Sequence, residues 1–341
     1  MAAPAEPETQ AGTEPDTGVA AVSIRDLTIA FRTPQGLLPA VSHASLDLVR
    51  GQITGLVGES GSGKSTLALS VLNAVPAPGQ IVGGSVEVDG AGDMLARHGR
   101  ALRKVRGADI GYVFQASQNS LNPLKRVGKQ MLDLGRSHGE RDARALIGRA
   151  RELLDDMGLD ATRVLSSYQH ELSGGMRQRV GIVFALLLNA HVLILDEPTT
   201  ALDMLSQAQV LEIIRQVHAK RHLTTLIISH DMSVIGDLCD RMAVMYAGRV
   251  VEQGPTASVL ATPRHPYTRA LLTAMPRITG DIAAAKALPG RPPDLMSIPR
   301  QGCVFQPRCP LATEACLEAE PPDTIAGDHR FACFVTAKEA R

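Results

Sequence analysis

The chain reads Gly58-Glu59-Ser60-Gly61-Ser62-Gly63-Lys64-Ser65, and this stretch decides how the rest of the sequence is interpreted. A short apolar run, 53–57, precedes it, and a helical pattern, 65–72, follows it. Glycines at these intervals let the backbone wrap closely around a phosphate group, with successive N–H groups and the positive end of the helix facing the anion. A Gly-Ser linker would lack the apolar patterns on both sides. The sequence therefore predicts a nucleotide phosphate-binding loop, or P-loop.

The polar side chains of this loop point to ATP and Mg²⁺ as ligands. We expect Lys64 to reach the outer phosphates, where its charge would also assist catalysis, and Ser65 to offer its hydroxyl oxygen to magnesium. The predicted ATP-binding residues of the loop are Gly58, Ser60, Gly61, Ser62, Gly63, Lys64, Ser65 and Thr66.

Two adjacent carboxylates follow a second apolar run. The run Val192–Leu195 predicts a buried strand, which we expect beside the strand of the phosphate-binding loop. The carboxylates of Asp196 and Glu197 come directly after it, at the end of a parallel strand where ligands bind. We expect Asp196 to hold magnesium through water and Glu197 to act as general base toward the water that attacks the γ-phosphate. Without the phosphate-binding loop, the same residues could merely end a strand.

Apolar residues alternate between strand and helix patterns along most of the chain. The strand patterns are at 22–31, 53–57, 85–89, 110–114, 192–195 and 224–228. Such alternation predicts an α/β fold with much parallel pairing. A helical stretch at about 116–175 indicates an inserted subdomain, and proline and glycine become frequent after Pro255.

The ends and the charge of the chain exclude several classes of protein. Residues 1–18 contain three prolines, four acidic residues and no lysine or arginine, so we expect a disordered tail and no secretory leader. The longest uncharged apolar stretch, Val180–Leu195, is shorter than the roughly twenty residues that span a bilayer. Lysine plus arginine equals aspartate plus glutamate at 35 each, which gives no overall electrostatic reason to expect nucleic acid as a partner.

Further motifs follow one another along the chain, and their order resembles that of a known family. Residues 172–179 read Leu-Ser-Gly-Gly-Met-Arg-Gln-Arg, Gln115 ends a predicted strand, and His230 follows another. Together with the phosphate-binding loop and the Asp-Glu pair, this order resembles the ATP-binding-cassette (ABC) ATPases. The resemblance implies an ATP hydrolase of the P-loop NTPase class, with a mixed sheet, an antiparallel β edge and an inserted helical subdomain.

The resemblance also implies roles for individual residues. They are Phe31 and Gln115 for ATP, Ser65, Gln115 and Asp196 for Mg²⁺, Lys64, Glu197 and His230 for catalysis, and Asp203 in a segment similar to the D-loop.

A signature loop at Ser173, Gly174 and Gly175 looks like a second anion site. Ser173 can cap the helix that begins after it, and the glycines expose N–H groups at its positive end. In the family, one subunit's signature and its partner's phosphate-binding loop sandwich one ATP. The resemblance therefore implies a head-to-tail dimer, with membrane partners docking on the surface at about 116–129.

Short motifs narrow the resemblance to the ATPase subunits of oligopeptide and dipeptide importers. They are Gly55–Thr66, Ser120–Pro123, Glu197–Asp203 and His265–Thr268, with Met176 similar to the D-type subunit. This implies a heterodimer with a second ABC ATPase, peripheral to the cytoplasmic face of the inner membrane. Two permeases would receive peptides or related solutes from an extracytoplasmic binding protein. The alternative is a soluble ABC ATPase in DNA repair or translation, which would need a coiled-coil insertion, a second cassette or a basic face.

Four of the five cysteines are close in sequence, at Cys303, Cys309, Cys316 and Cys333. Disulfides are unusual in a cytoplasmic chain, and the close cysteine pair of structural zinc sites is missing. Long spacings with a proline directly after Cys309 are compatible with a 4Fe–4S cluster, and some D-type importer ATPases resemble this arrangement and carry one. We expect such a cluster, with zinc and four free thiols as the alternatives.

These patterns divide the chain into three parts. We expect a disordered tail at 1–18 and an ABC ATPase domain at 19–255, with its helical subdomain at about 116–175. The remainder, 256–341, is expected to be a small, loop-rich C-terminal extension of the oligopeptide-importer type that contains the four cysteines.

Overall fold

Strands and helices alternate along the chain, as the apolar patterns predict. The structure is a computed structural model that describes residues 18–115, 120–200, 202–274, 288 and 290–339. Residues 1–17 of the predicted tail, residues 116–119 of the predicted docking surface and Ala201 of the D-loop segment lie outside the described residues. The strands described are β1 (Ala20–Thr33), β2 (Gly36–Val49), β3 (Ile53–Val57), β4 (Gly79–Val88), β5 (Gly92–Asp93), β6 (Ile110–Val113), β7 (Val192–Asp196), β8 (Thr224–Ser229), β9 (Arg241–Tyr246), β10 (Arg249–Pro255), β11 (Thr324–Ala326) and β12 (His329–Phe331). The helices described are α1 (Lys64–Val71), α2 (Gly99–Ala108), α3 (Val127–Ser137), α4 (Ala143–Asp156), α5 (Ala161–Ser166), α6 (Gly174–Leu186), α7 (Met204–Arg221), α8 (Met232–Leu238), α9 (Thr256–Ala261), α10 (Pro266–Ala274), α11 (Glu314–Glu318) and α12 (Phe334–Glu339).

The larger sheet carries the strands whose ends form the candidate site. Its order is β11-β12-β10-β9-β3-β8-β7-β6, and the five strands from β9 to β6 run parallel. Every residue of β3, β7 and β8 is buried, as expected for parallel strands covered on both faces. β8 lies between β3 and β7, so the expectation that β7 would neighbour the phosphate-binding strand is wrong. Both strands are buried along their whole length, and neither sequence marks which strand lies beside β3.

A second, antiparallel sheet has the order β2-β1-β4-β5. Its buried side chains, such as Ile24 and Leu27 of β1, share a core with Leu67 of α1 and Leu56 of β3. α1 therefore packs between the two sheets, and this packing holds the C-terminal end of the phosphate-binding loop in place. The predicted α/β class, with a mixed sheet and antiparallel strands, is confirmed.

Three helices, α3, α4 and α5, stand between β6 and α6. Met131, Leu146 and Val164 contribute their buried side chains to one core. Asp142 and Asp160 cap α4 and α5 by accepting hydrogen bonds from N–H groups of the first turn. Across the described residues, none of the helices combines the length and the apolar content that crossing a membrane requires.

The residues after Pro255 continue the larger sheet. β12 pairs with β10 in antiparallel register, so the C-terminal extension adds strands to the sheet that carries the site. The buried carboxylate of Glu252 in β10 accepts hydrogen bonds from the N–H of His265 at 2.9 Å and from Nε2 of His329 at 2.7 Å. With a further hydrogen bond from the N–H of Arg264, this buried carboxylate has three partners in the extension and ties the two parts of the chain together.

Acid should destabilise the fold through His265. Burial lowers the pKa of this imidazole from 6.5 to about 4. Between these values the unfolded chain binds a proton that the folded chain does not, so stability is present above pH 6.5 and is lost as the pH falls toward 4. We expect a loss of about 2 kcal/mol between pH 7 and pH 5 from this residue. Urea unfolding at pH 7 and pH 5 should show a smaller decrease in the free energy of unfolding for His265→Asn than for the wild type. Equal losses would contradict the assignment.

Candidate nucleotide site

The phosphate-binding loop joins β3 to α1, and its backbone requires glycine. Gly58, Gly61 and Gly63 have φ values of +153°, +80° and +98°, which residues with a side chain rarely adopt. A Cβ atom on Gly58 would lie only 2.1 Å from the carbonyl oxygen of Met245 in β9. The loop can therefore approach β9 this closely only because Gly58 lacks a side chain.

Lys64, the first residue of α1, is buried against the loop. Its Nζ donates hydrogen bonds to the carbonyl oxygens of Gly58 at 2.8 Å and Glu59 at 2.9 Å. Burial lowers the pKa of the Lys64 ammonium, although the charges of Glu197 and Asp196 oppose that shift. The ammonium is thus held against the backbone that would cradle a phosphate.

Asp196, the last residue of β7, accepts hydrogen bonds from two hydroxyl groups. Ser65 Oγ donates to its Oδ1 at 3.1 Å, and Tyr112 Oη donates to its Oδ2 at 3.1 Å. Burial raises the pKa of Asp196, while both hydroxyl donors oppose the rise. Because Ser65 and Asp196 supply adjacent oxygen atoms, which Mg²⁺ prefers, the pair fits a magnesium ion. Tyr112 is not among the sequence-predicted residues, since its position within a buried strand pattern suggests only packing.

Three side chains contact the carboxylate of Glu197, two of them from other segments of the chain. Its Oε2 accepts hydrogen bonds from Nε2 of Gln115 and Oγ1 of Thr200, each at 2.9 Å, and its Oε1 lies 3.5 Å from Nδ1 of His230. The backbone of Glu197 has a φ of +48°, an uncommon conformation that concentrates at functional sites. The carboxylate is therefore held in place by neighbours, as a general base that orients a water molecule must be.

Lys64, Ser65, Gln115 and Glu197 line one open cleft of about 570 Å³, whereas Asp196 and His230 do not line it and instead contact Ser65 and Glu197, respectively. The residues that line it are Phe31, Ala40, Ser60, Gly61, Gly63, Lys64, Ser65, Thr66, Gln115, Glu197, Pro293, Asp294 and Leu295. Phe31, which the resemblance assigns to ATP, thus lines the same cleft as the phosphate-binding loop. Four of these residues, Ala40, Pro293, Asp294 and Leu295, were not predicted from the sequence, because no motif marks them.

The signature and D-loop residues cap helices elsewhere. Ser173 Oγ accepts a hydrogen bond from the N–H of Met176 at 3.3 Å, at the start of α6. Asp203 caps α7 by accepting hydrogen bonds from the N–H and the hydroxyl of Ser206, and the backbone N–H bond lowers the pKa of Asp203 most. Among the described residues that line the 570 Å³ cleft, none belongs to the signature or the D-loop.

The four C-terminal cysteines line one small pocket of about 10 Å³. The N–H of Cys303 donates to the carbonyl oxygen of Cys316 at 2.8 Å. Burial raises the pKa of the Cys303 thiol to about 11, and the other three thiols add to the rise. Over the residues that the structure describes, however, no three Cys, His, Asp or Glu side chains form a group that could hold a metal ion. The thiols converge, but their arrangement does not support the predicted 4Fe–4S cluster.

Replacing Glu197 with Gln should separate nucleotide binding from turnover. The amide keeps the size of the side chain but cannot accept the proton of the attacking water, so turnover should fall by about 10²- to 10⁴-fold. Affinity for a fluorescent ATP analogue should stay within about twofold of the wild type. Phosphate release and fluorescence titration measure the two quantities. Glu152→Gln, on the exposed face of α4, is the matched control, and unchanged phosphate release in Glu197→Gln would contradict the assignment.

Comparison with known proteins identifies the family. Residues 41–200 match the model of the ABC transporter family, and residues 251–316 match that of the oligopeptide/dipeptide transporter C-terminal region. The chain is 38% identical over 321 residues to the oligopeptide transport ATP-binding protein OppD of Escherichia coli, covering 94% of each chain. It is 38% identical over 316 residues to the dipeptide transport ATP-binding protein DppD of Caldanaerobacter subterraneus, covering 92% of this chain and 96% of that protein.

Solved structures show the same fold. CbiO1 of Clostridium perfringens, part of the ABC transporter complex cbiONQ, superposes with a TM-score of 0.61 at 26% identity, covering 71% of this chain and 91% of that one. The ATP-binding cassette MJ0796, in a post-hydrolysis state bound to ADP and phosphate, superposes with a TM-score of 0.58 at 26% identity, covering 69% and 98%. From its motifs, its fold and its relatives, the chain belongs to the ABC transporter family, as an ATPase of the oligopeptide and dipeptide transport ATP-binding group.

Proposed function

We propose that this chain binds and hydrolyses ATP to drive the uptake of oligopeptides, dipeptides or related small solutes. The observation that carries the proposal is the convergence, at one cleft, of a phosphate-binding loop, a magnesium-binding pair and a carboxylate held for base catalysis. The relatives named as oligopeptide and dipeptide transport proteins supply the class of cargo.

Each group at the cleft has a distinct task in this reaction. Lys64 would move from the loop carbonyls to the outer phosphates of ATP, where its charge balances theirs. Ser65, Asp196 and Gln115 would hold Mg²⁺, which supplies charge neutralisation between the phosphates when bound. Glu197 would take a proton from the attacking water, and His230, beside it, would orient the γ-phosphate and that water.

A second ATPase subunit would complete the site. The Ser173 hydroxyl caps α6 by accepting the N–H of Met176. The N–H groups of Gly174 and Gly175, at the start of α6, have no partner within the helix, and they could bind a phosphate of the ATP held by the partner subunit. A head-to-tail heterodimer would bring the partner's signature over this chain's ATP, and this chain's signature over the partner's. The D-type assignment within that pair follows from Met176 in the signature.

The proposed location is the cytoplasmic face of the inner membrane, bound to two permease subunits. Phe114 lies just before the segment expected to dock there and Leu124 lies within it, and they are 50% and 86% exposed. Exposed apolar side chains of this size favour burial against a partner. An extracytoplasmic solute-binding protein would deliver cargo to the permeases and so decide which solute is imported.

Purification from membranes should test the assembly. A tagged chain is expected to bring down two integral-membrane permeases and a second ABC ATPase, because docking buries its exposed apolar residues. Lys64→Ala should retain the complex and lose ATP-driven peptide uptake into vesicles. Recovery of nucleic acid in place of permeases would reject the import function and favour the soluble alternative in DNA repair or translation.

We also propose that the four C-terminal thiols bind a 4Fe–4S cluster. What supports this is their convergence on one pocket from positions up to thirty residues apart in sequence, and the preference of iron–sulfur clusters for four thiolates. In the part of the chain that the structure describes, the thiols are not arranged to hold a metal ion. They would therefore have to rearrange around the cluster.

Anaerobic purification should decide between the cluster and its alternatives. We expect a brown protein with about four iron atoms per chain, and loss of both colour and iron in Cys309→Ser. Cys239→Ser should keep them, because this cysteine is buried apart from the other four. Zinc in place of iron would support the zinc alternative, and a colourless, metal-free chain would support four free thiols.

A further inference from the structure

A buried salt bridge joins the C-terminal extension to the phosphate-binding loop. Arg308 Nη1 lies 2.7 Å from Oε2 of Glu59, and its Nη2 donates to Oε1 at 3.1 Å. The Arg308 side chain is 7% exposed and that of Glu59 is 20% exposed. Two parallel hydrogen bonds between a guanidinium and a carboxylate, shielded from water, form a strong and directional contact. The pair spans 249 residues of sequence.

The extension also holds the backbone of the same loop residue. The hydroxyl oxygen of Tyr267 in α10 accepts a hydrogen bond from the N–H of Glu59 at 2.9 Å. The Tyr267 ring packs against Tyr246 and Phe305, with ring centres 4.6 Å and 5.4 Å away. Arg308 lies over the Tyr246 ring, 5.7 Å from its centre. These aromatic contacts fix the two groups that hold Glu59.

Glu59 is in turn connected to the lysine that would bind phosphate. Its carbonyl oxygen accepts a hydrogen bond from Lys64 Nζ at 2.9 Å. Glu59 is therefore held at its side chain, its N–H and its carbonyl. A phosphate cradle binds more tightly when its backbone is already in the bound conformation, because less ordering is then needed on binding.

We propose that Arg308 is a positioning residue for the nucleotide site, and that with Tyr267 it holds the phosphate-binding loop ready for ATP. The proposal rests on the proposed function, which makes ATP the ligand. Arg308 is not among the described residues that line the nucleotide cleft, and it acts through Glu59. The extension thus contributes to nucleotide affinity from outside the residues that carry the ABC motifs.

Nucleotide affinity of the full-length chain tests the proposal. We expect Arg308→Met, which keeps an apolar stem over Tyr246, to weaken binding of a fluorescent ATP analogue with Mg²⁺ by about tenfold. Arg308→Lys keeps the charge but loses the paired hydrogen bonds, so it should bind with intermediate affinity. Glu320→Gln, in the same extension as Arg308, breaks a partly exposed ion pair with Arg249 of β10. It is the control, and its affinity is expected to stay within about twofold of the wild type.

Two further readouts separate positioning from general loss of stability. In the assembled transporter, Arg308→Met should raise the KM for ATP about tenfold and change kcat less than about twofold, because Glu197 is untouched. The double variant Glu59→Gln with Arg308→Met should bind the ATP analogue no more weakly than the weaker-binding single variant, because both substitutions remove the same interaction. Should Arg308→Met fail to fold, Arg308→Lys and Glu59→Gln decide the question in the same assay.

The outcomes distinguish this proposal from the function on which it rests. A folded Arg308→Met with wild-type affinity, or effects of Arg308→Met and Glu59→Gln that add in the double variant, would overturn the positioning role while leaving ATP binding intact. A wild-type chain that does not bind the ATP analogue would instead reject the proposed function itself.

Discussion

The close approach of the phosphate-binding loop to its neighbours is the constraint on which the rest of the structure depends. Gly58 lies against β9, and a Cβ atom on Gly63 would lie 2.6 Å from the carbonyl oxygen of Ala40 in β2. The loop is therefore enclosed by strands of both sheets. Parallel pairing then brings the carboxyl ends of β7 and β8 to the same edge, where Asp196, Glu197 and His230 stand.

Sequence alone predicts the parts of this arrangement whose chemistry is local. The glycine spacing predicts the loop, and an apolar run followed by Asp196 and Glu197 predicts a strand with carboxylates at its end. The order of β7 and β8 could not be predicted, because both strands are fully buried and no pattern in either one marks its neighbour. The hydroxyl of Tyr112 and the guanidinium of Arg308 were missed for a related reason: their partners are distant in sequence, and neither residue stands in a motif that signals one.

The four C-terminal cysteines show which features of a site can be predicted from residue spacing and which cannot. Their closeness in sequence predicts closeness in space, and the four thiols do line one pocket. Spacing does not determine how sulfur atoms are oriented, however, since that depends on the turns between them. One such turn, at Gln306–Arg308, ends beside Cys309 and presents Arg308 to the phosphate-binding loop. The cysteine-rich segment therefore contacts the phosphate-binding loop directly, through Arg308 and Glu59.

The buried carboxylate of Glu252 has a consequence for how such chains can evolve. Its hydrogen-bond partners, the N–H groups of Arg264 and His265 and the ring of His329, all lie beyond Pro255. A shortened descendant ending there would keep every ABC motif yet leave a negative charge without partners in its interior and an open strand edge on β10. Loss of the extension would therefore require a compensating change at Glu252 in the same lineage.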